Sequence, residues 1–180
     1  MNFVQPIRDP EKIKQMKEVL RDMSERNFVM FTLGISTGLR ISDILQLKKE
    51  DLLQSHINIT ETKTTKAKRI KIPGYIKKDI MPYVKSLKDG EYLIKSRQGK
   101  NRPIDRSTAY RILRKAAKQV KVTEIGTHTL RKTFGYHFYK KTKNIALLQE
   151  LFNHSDQHIT LRYIGINQDA LDEAMDKQIF

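Results

Sequence analysis

The spacing of apolar residues predicts a chain built mainly of helices. Apolar side chains recur every three or four residues, as in the first such segment, where Ile13, Met16 and Leu20 share one face. Residues suited to helix caps mark several boundaries, among them Ser24 and Gly38 on either side of the second helix. The predicted helices cover residues 11–20, 25–37, 42–47, 75–87, 107–118, 128–140, 145–152, 155–163 and 168–178.

Three short segments predict strands. Residues 56–60 and 69–73 alternate between apolar and polar positions, and the polar, basic segment 62–68 between them is typical of a hairpin turn. Residues 92–95 predict a third short strand. The expected fold is therefore mainly α with a small three-stranded antiparallel sheet, in the α+β class.

Composition limits the kind of protein this can be. A length of 180 residues suits one domain, which we expect to span residues 1–180. The absence of cysteine excludes disulfides and zinc–thiolate sites. The first twenty residues lack the apolar core of a signal peptide, and no stretch approaches the ~20 apolar residues of a membrane span. We therefore expect a cytoplasmic protein with no membrane partner.

Positive charge is concentrated in the middle of the chain. The net charge is +15, and residues 63–143 hold 24 Lys and Arg against 5 Asp and Glu. Residues 1–62 are balanced, and residues 144–180 are acidic. A basic region of this size predicts a polyanionic partner whose phosphates supply salt-dependent affinity.

Three segments carry candidate chemistry for cleaving a phosphodiester. Thr37-Gly-Leu-Arg40-Ile-Ser-Asp43 lies between two predicted helices, and His128-Thr-Leu-Arg131 begins a helix with its histidine and arginine on one face. The third segment, His154-Ser-Asp-Gln-His-Ile-Thr-Leu-Arg-Tyr163, ends on a tyrosine. A guanidinium binds two phosphate oxygens at once. A phenol, with an ordinary pKa of ~10, is a usable nucleophile where nearby cations favour the phenolate.

Together these segments resemble the tyrosine recombinase, or phage integrase, family over about residues 28–165. The resemblance implies the DNA breaking–rejoining catalytic-domain fold and a site-specific recombinase. Such an enzyme cuts DNA through a 3′-phosphotyrosyl intermediate and rejoins the strand to another, without metal, cofactor or ATP. The catalytic residues that the resemblance implies are Arg40, Lys63, His128, Arg131, His154 and Tyr163.

Each of these residues has an implied role. Tyr163 attacks the phosphate and His128 assists proton transfer. The two arginines and His154 stabilise the pentacovalent state. Lys63, before the hairpin turn, protonates the leaving 5′-oxygen, although its neighbours Lys66, Lys68 and Lys71 compete for that role.

Further residues receive supporting roles. We expect Asp43 to hold Arg40 or to cap the following helix. A shared metal on His154 and His158 is disfavoured because no carboxylate–histidine motif such as H-E-x-x-H accompanies them, and no nucleotide-binding motif is present. The candidates for contacts with DNA phosphates are Lys66, Lys68, Arg69, Arg106, Arg111, Arg114 and Lys132.

Assembly and extent follow from the same resemblance. The expected partners are double-stranded DNA and other copies of the chain, as a tetramer on DNA. The acidic segment 167–180 is expected either to dock on a neighbouring subunit or to pack on its own domain. Only about 27 residues precede Phe28, so we expect no separate N-terminal DNA-binding domain in this chain, which is either a fragment or a short family member. An accessory DNA-binding domain or protein is then a further partner.

Two other functions share parts of this pattern. A type IB topoisomerase-like enzyme uses the same chemistry but rejoins the same strand. A DNA-binding regulator retains the fold without catalysis, yet has no need for Arg40, Arg131 and Tyr163 together.

Overall fold

The computed structural model describes residues 4–178, which form mostly helices around one two-stranded sheet. The sheet pairs β1 (His56–Thr60) with β2 (Ala67–Lys71). The helices are α1 (Pro10–Met23), α2 (Glu25–Thr37), α3 (Ile41–Gln46), α4 (Lys49–Leu53), α5 (Gly74–Ser86), α6 (Arg106–Gln119), α7 (Thr129–Thr142), α8 (Ile145–Phe152), α9 (Gln157–Ile164) and α10 (Ile166–Asp176).

The central helix of the main core is α2. Its sequence is apolar on almost every face, so its middle, from Phe28 to Leu33, is buried all round. It packs against α1 on one side and α7 on another. Its end therefore carries the segment after Thr37 into the interior, against α7.

The sheet is antiparallel and has two strands. Ile57 pairs with Ile70, and both are buried, as the alternation predicts. The third strand is a wrong prediction. Tyr92 and Lys95 each form a single bridge, with Lys48 and Pro103 respectively. The consecutive residues Leu93 and Ile94 are both fully buried, so this segment crosses the core and lacks a strand's alternation.

A second, smaller apolar cluster supports the C-terminal helices. Buried Leu148, Phe152 and Ile164 join α8 and α9, and partly buried aromatic residues of α7 pack against them. At Gly135 of α7, an added Cβ would lie 2.6 Å from Ile164 and 2.8 Å from Phe152. The glycine thus allows α9, with its tyrosine, to approach α7 closely.

Helix boundaries follow the predicted order with local differences. Asn144 caps α8 as predicted. However, Asp105 rather than Ser107 caps α6, and the N-cap of α7 is His128 rather than Thr127. The short helix α4 was missed, because its five residues offer too little periodicity. No helix in the described residues is long and apolar enough to cross a membrane.

Candidate active site

Arg131 is a buried arginine whose side chain is hydrogen-bonded to the backbone of two other segments. Its side chain lies on the first turn of α7 and is 3% exposed. Nη1 donates to the carbonyl of Gly38 at 2.7 Å, and Nη2 donates to the carbonyl of Phe152 at 2.9 Å. The guanidinium also lies 4.1 Å from the centre of the Phe152 ring. Two helix ends, those of α2 and α8, are thereby tied to one cation.

Gly38 makes this arrangement possible. It ends α2 in the left-handed region with φ 66°, and an added Cβ would lie 2.5 Å from the Phe134 ring. Arg40 lies in the predicted turn between two helices, and the structure makes it the N-cap of α3. Arg40 is partly buried, with its side chain 16% exposed.

The partner of Arg40 is Glu61, a residue without a predicted role. Arg40 Nη1 lies 2.7 Å from Glu61 Oε1, in an orientation that does not meet hydrogen-bond geometry, so the contact is ionic. Glu61 is fully buried, and Lys68 also donates to its Oε1 at 2.6 Å. Burial raises the pKa of Glu61, but contacts with Lys68, Thr64 and Arg40 outweigh it and bring the pKa to about 2. The carboxylate is therefore charged at neutral pH.

Asp43 contacts the hairpin, whereas the carboxylate that pairs with Arg40 is that of Glu61. Its Oδ1 accepts from the backbone nitrogen of Thr62 at 3.0 Å and from the Thr62 hydroxyl at 2.9 Å. The expectation that Asp43 holds Arg40 or caps α3 is therefore wrong, because the hydrogen-bond partner of its Oδ1 is Thr62. The contact fixes the backbone next to Lys63, which is itself exposed.

Tyr163 and His128 are adjacent. The Tyr163 hydroxyl lies 3.3 Å from Nδ1 of His128, with the two rings edge to face. Burial raises the pKa of Tyr163, and the lowering effect of Arg131 and Arg40 does not overcome it. The two arginines thus favour the phenolate, but burial has the larger effect, so the phenol stays protonated in the free protein at neutral pH.

His128 has the properties of a proton acceptor in this arrangement. Partial burial lowers the pKa of His128, and the positive charges of Arg106, Lys132, Arg131 and Lys63 lower it further. The imidazole is therefore neutral at physiological pH. A neutral ring within reach of the Tyr163 hydroxyl can accept the phenol proton during attack.

His154 completes the aromatic wall of the site. Its ring centre lies 5.1 Å from that of Tyr163 and 5.4 Å from that of Phe152. Its Nδ1 lies 3.0 Å from the hydroxyl of Thr160. Burial, together with the positive charges of Arg131, Arg40 and Lys68, lowers the pKa of His154 to about 4. The Thr160 hydroxyl also lies 3.2 Å from the Asp156 carbonyl, so its one proton is donated either to that carbonyl or to Nδ1. In the second case the ring's own proton is on Nε2, where it can be donated to a phosphate.

Four of the six predicted residues line one cleft. It has a volume of about 310 Å³ and is bordered by Arg40, Lys63, His128 and Arg131 together with Arg106. Tyr163 and His154 join it through the contacts given above. Lys66 instead lies beside His154 in a separate depression. Among the hairpin lysines, Lys63 is thus the one that borders the cleft of the arginines.

The predicted DNA-contacting residues fall into two groups. Arg106, Arg111 and Arg114 are exposed along α6, and Lys66 and Arg69 are exposed on the hairpin. Two others are occupied within the protein. Lys68 donates to Glu61 and to the Leu151 carbonyl, and Lys132 donates to the Val4 carbonyl at 2.7 Å.

Comparison with known proteins identifies the family of this chain. The sequence model of the phage integrase family matches residues 8–169. A probable integrase/recombinase of Bacillus subtilis, YoeC, is 51% identical over 171 residues, covering 94% of this chain and 94% of that protein. The tyrosine recombinase XerA of Thermococcus kodakarensis is 28% identical over 171 residues and is longer, so that the match covers 93% of this chain but 60% of that protein.

Solved structures have the same fold. A crystal structure of XerA recombinase matches with a TM-score of 0.77 at 23% identity, covering 98% of this chain and 67% of that one. A post-cleavage complex of XerH recombinase on its palindromic difH substrate matches with a TM-score of 0.73 at 18% identity, covering 98% and 53%. The mainly helical fold predicted from the sequence is confirmed. With its family match extending over most of its length, the chain belongs to the phage integrase family.

Proposed function

We propose that this protein is a site-specific DNA recombinase that cleaves and rejoins strands through Tyr163. The observation that carries the proposal is the placement of the Tyr163 hydroxyl 3.3 Å from His128, beside a cleft bordered by Arg40, Lys63 and Arg131. A nucleophile, a proton acceptor and several cations thus meet where one phosphate group fits.

The reaction follows from this arrangement. The Tyr163 oxygen forms a bond to phosphorus while its proton passes to His128, and the bond from phosphorus to the 5′-oxygen breaks. Lys63 donates a proton to the departing 5′-oxygen. In the second half, the 5′-hydroxyl of a partner strand attacks the phosphotyrosine and releases Tyr163.

The charge that develops on the phosphate is met by donors held ready before DNA arrives. Arg40 and Arg131 border the cleft, and His154 contributes Nε2–H in its donor tautomer. The covalent intermediate keeps the energy of the phosphodiester, so the reaction balances without ATP. The chain's own residues supply charge neutralisation and both proton transfers, so we propose that no metal is required.

DNA is proposed to follow α6 away from the catalytic cleft. Arg106, at the start of α6, borders that cleft, whereas Arg111 and Lys115 border a neighbouring depression of about 780 Å³ with Arg102. Arg114 lies one turn from Arg111 and is also exposed. A helix that joins two basic depressions suits successive phosphates of one strand.

Assembly into a tetramer on DNA is proposed to use α10. Its first half is tied to its own domain by the ion pair of Asp169 with Arg8 at 2.7 Å. Beyond it, Leu171 and Met175 are 60% and 67% exposed. The predicted docking segment 167–180 also includes residues 179–180, which lie outside the described residues.

The receiving surface for α10 is proposed to be the groove between β2 and α8. It is lined by exposed Tyr75 and Leu147, with Phe138 at its side. The basic residues Arg69 and Lys71 also border it, which suits an acidic helix from a second copy. We therefore propose that the exposed half of α10 packs into this groove on a neighbouring subunit.

A nicked suicide DNA substrate tests the cleavage proposal. Because the short 3′-flanking strand diffuses away, a protein–DNA adduct accumulates and survives denaturing electrophoresis. We expect an adduct with the natural chain and none with Tyr163→Phe. The matched control, Tyr139→Phe, changes a partly buried tyrosine of α7 and is expected to keep the adduct. An adduct that persists in Tyr163→Phe contradicts the proposal.

The same protein on a plasmid with two target sites separates recombination from rival functions. Strand exchange gives products of new connectivity, whereas a topoisomerase-like enzyme only relaxes supercoils. Salt-sensitive binding without either product, together with no adduct, would indicate a DNA-binding regulator.

A further inference from the structure

Glu61 is a buried carboxylate with a complete set of partners. Its side chain is fully buried. Oε1 meets Lys68 and Arg40, whereas Oε2 accepts from the Thr64 hydroxyl at 2.6 Å and from Asn153 Nδ2 at 2.9 Å. A buried charge is tolerated when it is paired and hydrogen-bonded to this extent.

These partners come from three separate parts of the site. Arg40 belongs to the turn before α3, and Lys68 belongs to the hairpin whose other strand leads to Lys63. Asn153 ends α8 in the left-handed region, with φ 53°, and immediately precedes His154. Glu61 is thus the point at which the segments bearing Arg40, Lys63 and His154 are joined.

We propose that Glu61 is a positioning residue that sets the Arg40 guanidinium and the Asn153–His154 segment for phosphate binding. The inference rests on the proposed function, because it concerns the same cleavage reaction. Glu61 itself does not border the catalytic cleft, so it acts through Arg40 rather than on the substrate.

Electrostatics explains why a carboxylate is required here. Burial lowers the pKa of Lys68, and the positive charges of Arg131 and Arg40 lower it further, whereas Glu61 raises it. Without an anion between them, Arg40 is repelled from its neighbours and loses a fixed orientation. Because a displacement of about 1 Å in a catalytic group costs up to ~10²-fold in rate, this contact bears directly on cleavage.

A simpler role for Glu61 is to neutralise Lys68 alone. Lys68 is held by Glu61 and by the carbonyl of Leu151, and it is largely buried, with its side chain 11% exposed. In that case, replacing both residues by neutral ones of similar size removes the need for the carboxylate. The two roles therefore differ in what the double variant does.

The experiment compares Glu61→Gln with the natural chain in single-turnover cleavage of the suicide substrate. A second substrate carries a neutral methylphosphonate at the cleaved position, where a missing or displaced arginine matters less. We expect Glu61→Gln to slow cleavage of the phosphodiester by about 10- to 100-fold. On the methylphosphonate, we expect the defect to shrink to within about threefold, because charge neutralisation is no longer needed. Arg40→Ala supplies the reference pattern for a defect of this kind.

The double variant Glu61→Gln with Lys68→Met, and the folding of each protein by circular dichroism, complete the test. We expect the double variant to stay slow on the phosphodiester and to be relieved on the methylphosphonate. Restoration of the natural rate by Lys68→Met, an equal defect on both substrates, or an unchanged rate in folded Glu61→Gln would each overturn the proposal. If the natural chain forms no adduct, the proposed function fails first, and this comparison does not arise.

Discussion

The two sides of the catalytic cleft are held by different means. On the α7 side, Arg131 is almost fully buried and is fixed by two neutral backbone carbonyls. On the hairpin side, Lys63 is exposed, and its surroundings are fixed by the carboxylates of Asp43 and Glu61. One side is set by helix packing and the other by buried charge.

This difference shows how a single phosphate site can combine rigidity with access. Carbonyl contacts hold Arg131 without cancelling its charge, so the cation remains available to the phosphate. Carboxylate contacts hold the hairpin side more firmly per bond but reduce the local positive charge. The hairpin tip stays exposed, so its lysine can approach a leaving group as DNA enters.

Removing the cation on the packed side has the largest expected effect. Arg131→Ala leaves the carbonyls of Gly38 and Phe152 buried without their donor. We expect cleavage to fall by at least about 10²- to 10³-fold, from loss of phosphate stabilisation. We also expect the free energy of unfolding to fall by about 1–3 kcal/mol, measured by urea denaturation. Arg131→Lys is the matched control, and full stability in Arg131→Ala would show that the carbonyl contacts are not structural.

Removing the cation on the hairpin side is expected to affect rate and leave stability unchanged. Lys63→Ala should slow cleavage by about 10²-fold while the free energy of unfolding stays within about 0.5 kcal/mol, because Lys63 is exposed. A substrate with sulfur in place of the 5′-bridging oxygen needs no proton on its leaving group and should restore the rate. Lys66→Ala, on the same hairpin, is expected to retain nearly the natural rate, and a reversed result would assign the acid to Lys66.

Releasing the hairpin from Asp43 should have a smaller effect on rate. Asp43→Ala deprives the Thr62 backbone and hydroxyl of their acceptor. We expect a loss of about 1–3 kcal/mol in unfolding free energy and faster hydrogen exchange at the Thr62 amide. Cleavage should slow by about tenfold, less than in Lys63→Ala, because Lys63 itself remains. Unchanged exchange at Thr62 would contradict this assignment.

The smallest expected effect is on the pH dependence of stability, where His154 and Glu61 act in different pH ranges. Burial and nearby cations lower the pKa of His154 from 6.5 to about 4, so the unfolded chain takes up a proton there first as the pH falls. Stability from this group is therefore full above pH 6.5 and is lost between 6.5 and 4, with a slope below about 1.4 kcal/mol per pH unit.

The contribution of Glu61 lies in a lower pH window. Its pKa is lowered from 4.5 to about 2, so its stabilisation is present above pH 4.5 and is lost below it. In His154→Gln, the urea midpoint should change less with pH between 6.5 and 4.5 than in the natural chain. In Glu61→Gln, the change of the urea midpoint over that interval should be the same as in the natural chain. The opposite pattern would contradict the assigned pKa directions.

The sequence predicted the packed side of the site better than the charged side. Gly38, Arg131 and Tyr163 lie in segments where the apolar periodicity and the capping residues predict the same helix. Their placement therefore follows from the local sequence pattern. The ionic partner of Arg40 is Glu61, which is 21 positions away in the chain, so local spacing cannot predict the contact. Asp43 stands only three positions from Arg40, so local spacing favours it as the partner.

A signal for Glu61 was nevertheless present. Ile57, Ile59 and Glu61 are two positions apart, so in an extended strand their side chains lie on the same face. Because the two isoleucines mark that face as the inward one, the Glu61 carboxylate is expected to point inward as well. A charge at such a position requires a buried partner. The missing third strand has a related cause, because Leu93 and Ile94 are adjacent apolar residues that fit a buried crossing as well as a strand.

The most direct measurement is the identity of the amino acid that carries DNA after cleavage. The natural chain is trapped on the suicide substrate, the DNA is digested to a short remnant, and the modified peptide is sequenced by mass spectrometry. We predict a single modified residue, Tyr163, joined to the 3′-phosphate of the cleaved strand. Attachment to any other residue, or cleavage products with no attached nucleotide, would contradict the account.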